Sequence, residues 1–176
     1  MINLLYSIIA AVALGAAAQL SISLPESVSA LPITGQTLVV LLIAKVQKWP
    51  WAIISILVYF LLGILGLPAF ADFKSGWTVF SGNSLGYFSG FLVAANFIHF
   101  LKKNQKNRFG PTFIQFLVAS LLILLFGFIG LLRFTDPATA FQKGVFPFLA
   151  GALIKVFVAA ALISVYRRFR QLMEMK

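Results

Sequence analysis

One charged residue, Lys155, lies near the middle of an otherwise apolar run that covers residues 147–166. As a helix this run is about 30 Å long, which is about the thickness of the hydrocarbon core of a bilayer. An unpaired charge at such a depth costs about 2.5–3.5 kcal/mol, so it is expected to have a partner. The position predicts that the ammonium faces an anionic ligand group or a polar cavity. The alternative is that it donates to backbone carbonyls or to a lipid headgroup.

Further polar and aromatic residues lie where other apolar segments begin. Gln36, in the string LPITGQTL, offers amide donors and an acceptor. Asn83 and Tyr87, in GNSLGYFSG, are four residues apart and would share one face of a helix. Trp77 and Phe73 lie in an aromatic loop before them, which is typical either of an interfacial belt or of a lid over a bound molecule. Together with the buried lysine, these residues are the predicted ligand-binding site.

The remaining ionisable residues offer little catalytic chemistry. Asp72 and Asp136 could meet on the outer side, where two carboxyls sharing a site would suit an intramembrane hydrolase. Neither lies in an apolar segment, so this activity is an alternative and not the prediction. The chain has no cysteine, one histidine (His99) and no glycine-rich nucleotide loop. We therefore expect no cofactor, no metal and no enzymatic activity, and we expect any ATP-driven work to need partner subunits.

The composition is that of a chain whose solvent is lipid. It is 61% hydrophobic, has a mean hydropathy of +0.99 and carries only 14 basic and 4 acidic residues. Helices are the only elements that could cross lipid with these patterns. The apolar segments are 2–23, 34–46, 51–67, 82–101, 112–132 and 146–166, of which the second is short. The predicted fold is an all-α integral membrane protein in which six transmembrane helices form a single domain over residues 1–176.

The distribution of lysine and arginine predicts the orientation. Ten basic residues lie at the ends of the second, fourth and sixth segments or in the breaks after them, and Lys45 and Lys48 are the two between the second and third segments; three fall in the other breaks. By the positive-inside rule both termini are cytoplasmic, and the protein is a multi-pass protein of the cell membrane. The net charge of +10 is then a topology signal and does not indicate nucleic-acid binding. Ala16 and Ala18 would suit a cleavable signal, but no basic residue precedes the first apolar core, so we expect this segment to be retained.

Small residues recur at helical spacing in two segments. In the first, Ala11 and Gly15 are four residues apart, and so are Ala13 and Ala17. Such residues either pack within the bundle or form a docking face for another membrane subunit. Glycine repeats at the same spacing over residues 82–90, which predicts that another helix comes close to the fourth segment.

Strings along nearly the whole chain resemble those of the BioY family, the biotin-binding S components of energy-coupling factor (ECF) vitamin transporters. The family's order is kept by AAQLSI at 17–22, LPITGQTL at 31–38, YFLLGILGLPAFA at 59–71, GNSLGYFSGF at 82–91 and PFLAGALIK at 147–155. The resemblance implies an S component that binds biotin from outside, between spans four to six and the outer loops. It also implies docking, through the small residues of the first helix, on a transmembrane coupling protein that carries two ATPase subunits. Lys155 matches the family's pocket lysine.

The chain departs from the family pattern near this lysine. Ala150 and Ala152 stand where the family has Pro and Asp, and GNSLGY replaces GPTGGY. An aspartate at position 152 would share the face of Lys155 and could accept from a ureido N–H. Its absence predicts that Asn83 supplies the missing hydrogen bonds.

From these patterns we expect Lys155 to position an anionic or carbonyl oxygen of biotin. Asn83 and Gln36 would bond the polar head, and Tyr87 with the loop aromatics would wall the rings. The alternatives are an S component for a different small carboxylate-bearing vitamin and a purely structural assembly subunit.

Overall fold

The protein is described by a computed structural model that covers residues 2–102 and 109–174. Helices dominate it. In chain order they are α1 (Ile2–Gln19), α2 (Gln36–Val46), α3 (Trp51–Ile64), α4 (Trp77–Ser81), α5 (Leu85–Lys102), α6 (Phe109–Leu131), α7 (Pro137–Gly144) and α8 (Phe146–Glu174). A 3-10 turn, Ala71–Phe73, precedes α4. Two short strands, β1 (Ser21–Ile22) and β2 (Ile33–Thr34), pair antiparallel between α1 and α2.

The predicted helical character is confirmed, and each predicted apolar segment contains a helix. α1, α6 and the stretch Pro137–Phe169 are long and apolar enough to cross a membrane, whereas α2, α3 and α5 are shorter apolar helices. The last helix does not end at residue 166 as predicted but continues to Glu174. Arginine and glutamine are good helix formers, so the polar sequence after the apolar run extends the same helix.

α2 lies in the centre of the bundle and is short. Its 11 residues rise about 16 Å, and it packs against α1, α5 and α8. The backbone N–H of Gly35, just before α2, donates to the carbonyl of Leu20 just after α1, and Gln47 beyond the other end donates to the carbonyl of Tyr6. The sequence predicts that this short helix is extended either back to Pro32 or forward past Lys48. Instead, the chain before it forms the β1–β2 hairpin.

An aromatic cluster fixes the segment that connects α3 to α5. Its rings lie 4.9–6.4 Å apart between centroids and belong to Tyr59, Phe60, Phe70, Phe80 and Phe88. Because these residues come from α3, α4, α5 and the loop between them, the cluster holds the loop against the bundle. The sequence predicts an aromatic loop there and misses α4, which is too short to show a helical period.

α5 and α6 approach so closely that their backbones touch. A Cβ atom on Gly90 would lie 2.8 Å from the Cα of Ile123, and one on Gly130 would lie 2.6 Å from the Cα of Gly86. Only glycine leaves room for such a contact. The prediction that the 82–90 glycines admit another helix is confirmed for Gly86 and Gly90. Gly82 instead faces the backbone of α4.

One residue counted as a topology signal is buried. Lys45 lies in the last turn of α2, is only 2% exposed and donates to the side chain of Gln115 on α6. The Nε2 group of Gln115 donates in turn to the carbonyl of Ile98 on α5, at 2.8 Å. Lys45 follows the buried Leu41 by one helical turn, which points it into the bundle. Its predicted place in a polar break between segments is therefore wrong, whereas Lys48 is exposed.

α7 begins at an N-cap that the sequence contains but that our segment analysis missed. The carboxylate of Asp136 accepts from the backbone N–H of Thr139 at 3.0 Å, and Pro137 occupies the first helical position. Hydrogen bonds from Thr139 hold the pKa of the Asp136 carboxyl below its usual value. An Asp-Pro pair before a short amphipathic stretch is the signal that would have revealed this helix.

We expect Asp136→Ala to lower the thermal stability of the detergent-solubilised protein slightly, and Asp136→Asn to keep most of it, because asparagine caps helices as well as aspartate does. The pKa of the carboxyl is lower in the folded protein than in the unfolded chain. Its stabilisation is thus present at neutral pH and is lost as the pH falls below about 4. Melting curves at pH 7 and pH 3.5 measure both effects. Equal melting temperatures of all three proteins at pH 7 would contradict the capping role.

Candidate functional site

A cavity of about 300 Å³ lies between four helices of the bundle. Its walls come from α2, α5, α6 and α8, and segments 30–34 and 70–84 complete the lining. The exposed lining residues, Asp72, Lys74, Thr78 and Asn83, all belong to segment 70–84, so the mouth of the cavity lies at this end of the bundle. Pockets for small molecules have volumes of roughly 300–1,000 Å³. The cavity therefore has room for one compact ligand.

Each of three helices turns one face towards the cavity. The lining residues are spaced by one, three or four positions, and they are Tyr87, Phe88 and Phe91 on α5, Ser120, Ile123 and Leu124 on α6, and Phe148, Ala152 and Lys155 on α8. α5 and α8 begin near the mouth, whereas α6 ends there. The residues of these helices furthest from the mouth are therefore Phe91, Ser120 and Lys155, and we call these three residues the floor.

Lys155 is half-buried at the floor. Its ammonium has no carboxylate partner among the described residues, because the one ion pair formed by those residues joins Lys74 to Asp72. It also takes part in none of the hydrogen bonds seen among those residues. Ala152, one turn earlier on the same face, lines the cavity and brings no charge. The lysine is therefore available to an anionic or carbonyl oxygen inside the cavity.

Gln36, the first residue of α2, lines the wall near the mouth and is held by two neighbours. Its Nε2 group donates to the hydroxyl of Tyr59 at 2.5 Å, and its Oε1 atom accepts from the hydroxyl of Thr34 at 2.9 Å. The side chain is only 6% exposed. These bonds fix the orientation of the amide, which still has a second N–H group to offer.

Tyr87 and Asn83 both line the cavity, but they do not lie on one helix face as predicted. α5 begins at Leu85, so Asn83 precedes the helix and is exposed at the mouth. The hydroxyl of Tyr87 donates to the carbonyl of Gly144 at 2.5 Å, and its ring packs 5.8 Å from that of Phe148. Tyr87 therefore presents its ring to the cavity, while its hydroxyl ties α5 to α7.

Trp77 and Phe73 are not among the residues that line the cavity. Their side chains are 64% and 71% exposed. The aromatic walls are instead formed by Phe70, which belongs to the predicted aromatic loop, and by Phe88, Phe91 and Phe148, which the sequence analysis did not assign to the site. Helical spacing is a usable signal for two of them, because Phe91 lies one turn after Tyr87 and Phe148 lies two turns before Lys155.

The end of α1 holds the loop that borders the mouth. The Nε2 group of Gln19 donates to the carbonyls of Pro68 and Phe70 at 3.2 and 3.0 Å, and its Oε1 atom accepts from the backbone N–H of Phe73 at 3.0 Å. Asp72, in the same loop, accepts from the hydroxyl of Ser21 at 2.9 Å. The loop between residues 68 and 73 is thus attached to α1 and to the hairpin after it.

The two carboxylates of the hydrolase alternative serve separate elements. Asp72 lines the cavity and is bonded to the hairpin and to Lys74, 3.8 Å away. Asp136 caps α7 and is not a lining residue. Among the residues that the structure describes, no cluster of histidine, aspartate and glutamate could hold a metal ion.

The small residues of α1 do not share one face. Ala11 and Ala17 are buried, at 1% and 5% exposure. Gly15 is half-buried, and a Cβ atom added to it would lie 3.8 Å from the Cβ of Ala69. Ala13 is exposed. Residues two apart on a helix point to different sides, so the two pairs were never on a common surface. Of the four predicted docking residues, only Ala13 is fully accessible to a partner.

Comparisons with known proteins agree with one another. The BioY family model matches residues 1–172. The chain is 36% identical over 150 residues to the biotin transporter BioY2 of Lactococcus lactis subsp. cremoris, an alignment that covers 84% of this chain and 82% of the relative. It is 33% identical over 142 residues to the probable biotin transporter BioY of Pyrococcus horikoshii, covering 81% and 82%.

A solved structure shows the same fold. The crystal structure of the S-component for biotin from an ECF-type ABC transporter matches with a TM-score of 0.82 and 22% identity, over 94% of this chain and 90% of that one. The helix arrangement described above is thus that of a known membrane-protein fold.

Proposed function

The chain belongs to the BioY family, and we propose that it is the substrate-binding membrane subunit for biotin uptake. It captures biotin at the outer side of the membrane and delivers it inward together with an ATP-driven ECF module. That module consists of a transmembrane coupling protein and two ATPase subunits. Like its relatives, whose names describe biotin transporters, the protein is a transporter component and not an enzyme.

The observation that carries this proposal is the unpaired lysine at the floor of an aromatic cavity. Biotin has one carboxylate on an apolar tail and a bicyclic head with a ureido group. Phe88, Phe91 and Phe148 provide apolar walls for rings and tail, while Lys155 offers a cation to an oxygen of the ligand. A ligand that neutralised this charge would remove the penalty of leaving it unpaired in the membrane.

The other site residues take secondary roles in this proposal. Gln36 and Asn83 bond the polar groups of biotin, and the ring of Tyr87 forms part of the wall. Trp77 and Phe73 lie outside the cavity, and a role as walls requires the loop before α5 to fold inward over bound biotin.

The proposed topology has six transmembrane helices in a single domain, with both termini in the cytoplasm of the cell. The six apolar helices found in the described part of the chain are α1, α2, α3, α5, α6 and α8. This arrangement places the mouth of the cavity, with segments 30–34 and 70–84, on the outer side. The exposed side of α1, around Ala13, is the surface offered to the coupling protein.

Isothermal titration of the purified protein, freed of endogenous ligand, tests the proposal. We expect biotin to bind in the sub-micromolar range, which corresponds to more than about 8 kcal/mol. A folded protein that binds no biotin would refute the assignment. Because Ala152 replaces an acidic residue of the family pattern, other carboxylate-bearing vitamins form the comparison series. Binding of one of these in place of biotin would favour the alternative substrate.

Asn83→Ala is expected to weaken biotin binding about threefold to tenfold, because a hydrogen bond contributes about 0.5–1.5 kcal/mol. Asn96→Ala is the matched control: Asn96 lies on α5, bonds the carbonyl of Leu92 and does not line the cavity. Titration with biotin measures both variants. Unchanged affinity in Asn83→Ala, with intact binding by the wild type, would show that Asn83 does not replace the missing aspartate.

A further inference from the structure

Ser120 is a buried hydroxyl at the floor of the cavity for which neither the sequence analysis nor the family comparison gives a role. The residue is only 2% exposed, and its Oγ atom has no hydrogen-bond partner among the described residues. Serines on other helices of the protein donate to the carbonyl four residues earlier: Ser89 bonds Leu85 at 2.9 Å, and Ser164 bonds Ala160 at 2.8 Å. Ser120 is one of the residues that line the cavity, and its hydroxyl does not donate to the carbonyl four residues earlier.

Ser120 and Lys155 are at corresponding positions on two packed helices. Each is the lining residue furthest from the mouth on its own helix, and α6 and α8 run in opposite directions in contact with each other. The third residue of the floor, Phe91, is apolar. The floor therefore combines one ammonium and one hydroxyl in an apolar setting, with no carboxylate among its three residues.

We propose that Ser120 and Lys155 together bind the oxygen atoms at one end of the ligand, with the hydroxyl and the ammonium both donating. This inference rests on the proposed function. The chemistry it names is an acceptor oxygen with two lone pairs, which biotin offers both in its carboxylate and in its ureido carbonyl. A charge-assisted bond from Lys155 and a neutral bond from Ser120 to the same group satisfy two otherwise unpaired donors.

Ser120 thereby determines specificity. A ligand whose deep end lacks such an oxygen leaves a buried hydroxyl and a buried ammonium unpaired, and sites with unpaired polar groups reject such analogues strongly. A purely apolar ligand of the same size gains nothing at this end of the cavity.

The test compares Ser120→Ala with Thr112→Val. Thr112 lies on the same helix, and its hydroxyl is also buried and without a partner among the described residues, but it does not line the cavity. We expect Ser120→Ala to bind biotin about tenfold more weakly, or about 1.4 kcal/mol, while Thr112→Val keeps the wild-type affinity. The melting temperature of ligand-free Ser120→Ala should be unchanged or higher, because the substitution removes an unpaired polar group and no hydrogen bond.

Two results would overturn the inference. One is wild-type affinity in Ser120→Ala. The other is a lower melting temperature of the ligand-free variant, which would show that the hydroxyl is needed for the fold. If the wild type itself binds no biotin, the proposed function fails and the inference fails with it, so the two failures are told apart by the wild-type titration.

Biotin methyl ester identifies which oxygen is bound. If the floor binds the carboxylate, the difference between wild type and Ser120→Ala is about tenfold with biotin and smaller with the ester, because the neutral ester carbonyl accepts a weaker hydrogen bond than the carboxylate does. If the floor binds the ureido carbonyl, the difference is the same for both compounds. Either pattern supports the shared oxygen, whereas no difference for either compound excludes it.

Discussion

Replacing Lys155 by alanine is expected to weaken biotin binding at least about a hundredfold, which is about 2.8 kcal/mol. Hydrogen bonds that involve a charged group contribute about 1.5–3 kcal/mol each, and the carboxylate or carbonyl of the ligand would be left without its main donor in an apolar floor. Isothermal titration measures the loss. Lys143→Ala is the control, because Lys143 is a lysine of α7 that does not line the cavity.

The same position separates a binding protein from a purely structural subunit. Lys155→Met removes the charge and keeps the volume, so the ligand-free protein should be at least as stable as the wild type. If the protein binds biotin through Lys155, the Lys155→Met variant should be stable but should have lost its affinity for biotin. If Lys155→Met binds biotin like the wild type, the ammonium does not contact the ligand and the proposed role of the lysine is wrong.

The second large effect is expected at the contact between α5 and α6. A Cβ atom on Gly86 would lie 2.9 Å from the Cα of Gly130 and would also meet the backbone carbonyl of Phe126. Overpacking costs about 1–3 kcal/mol when side chains can adjust, but backbone atoms cannot change rotamer. We therefore expect Gly86→Ala to destabilise the protein by about 3 kcal/mol or more, measured as the thermal denaturation of the detergent-solubilised protein.

Gly110→Ala is the matched control for this substitution. Gly110 lies on α6, and a Cβ atom there would meet nothing within 4 Å. Alanine has a higher helix propensity than glycine, but a side chain just before Pro111 is disfavoured in a helix, so this variant should lose far less stability than Gly86→Ala. If Gly86→Ala and Gly110→Ala melted at the same temperature, the close approach of the two helices would not contribute as described.

The helical segments could be predicted because their signal is the local run of apolar residues. α1 and α6 begin and end within a few residues of the predicted bounds. The boundaries set by tertiary contacts could not be predicted: the chain just before α2 forms β2, which pairs with β1 just after α1, so α2 begins only at Gln36. The burial of Lys45 was also missed, because a lysine near a segment end reads as a surface charge until the partner Gln115 is placed beside it.

The site was predictable where a residue type is unusual for its surroundings. Lys155 stands out because a charge in an apolar run is costly, and it lies at the floor of the cavity. Ser120 does not stand out, because a serine in a transmembrane helix normally bonds its own backbone. Only the three-dimensional structure shows that its buried hydroxyl lacks this bond and that the residue is one of those that line the cavity.

The attachment of Gln19 to the loop over residues 68–73 links two binding events of the proposed transport cycle. In the proposed assembly α1 carries the surface offered to the coupling protein, and the loop attached to its end lies on the proposed route of biotin entry. If docking displaced the end of α1, these hydrogen bonds would transmit the displacement to the loop. Coupling between two sites is reciprocal. To the extent that docking changes the affinity for biotin, bound biotin changes the affinity for the coupling protein by the same factor.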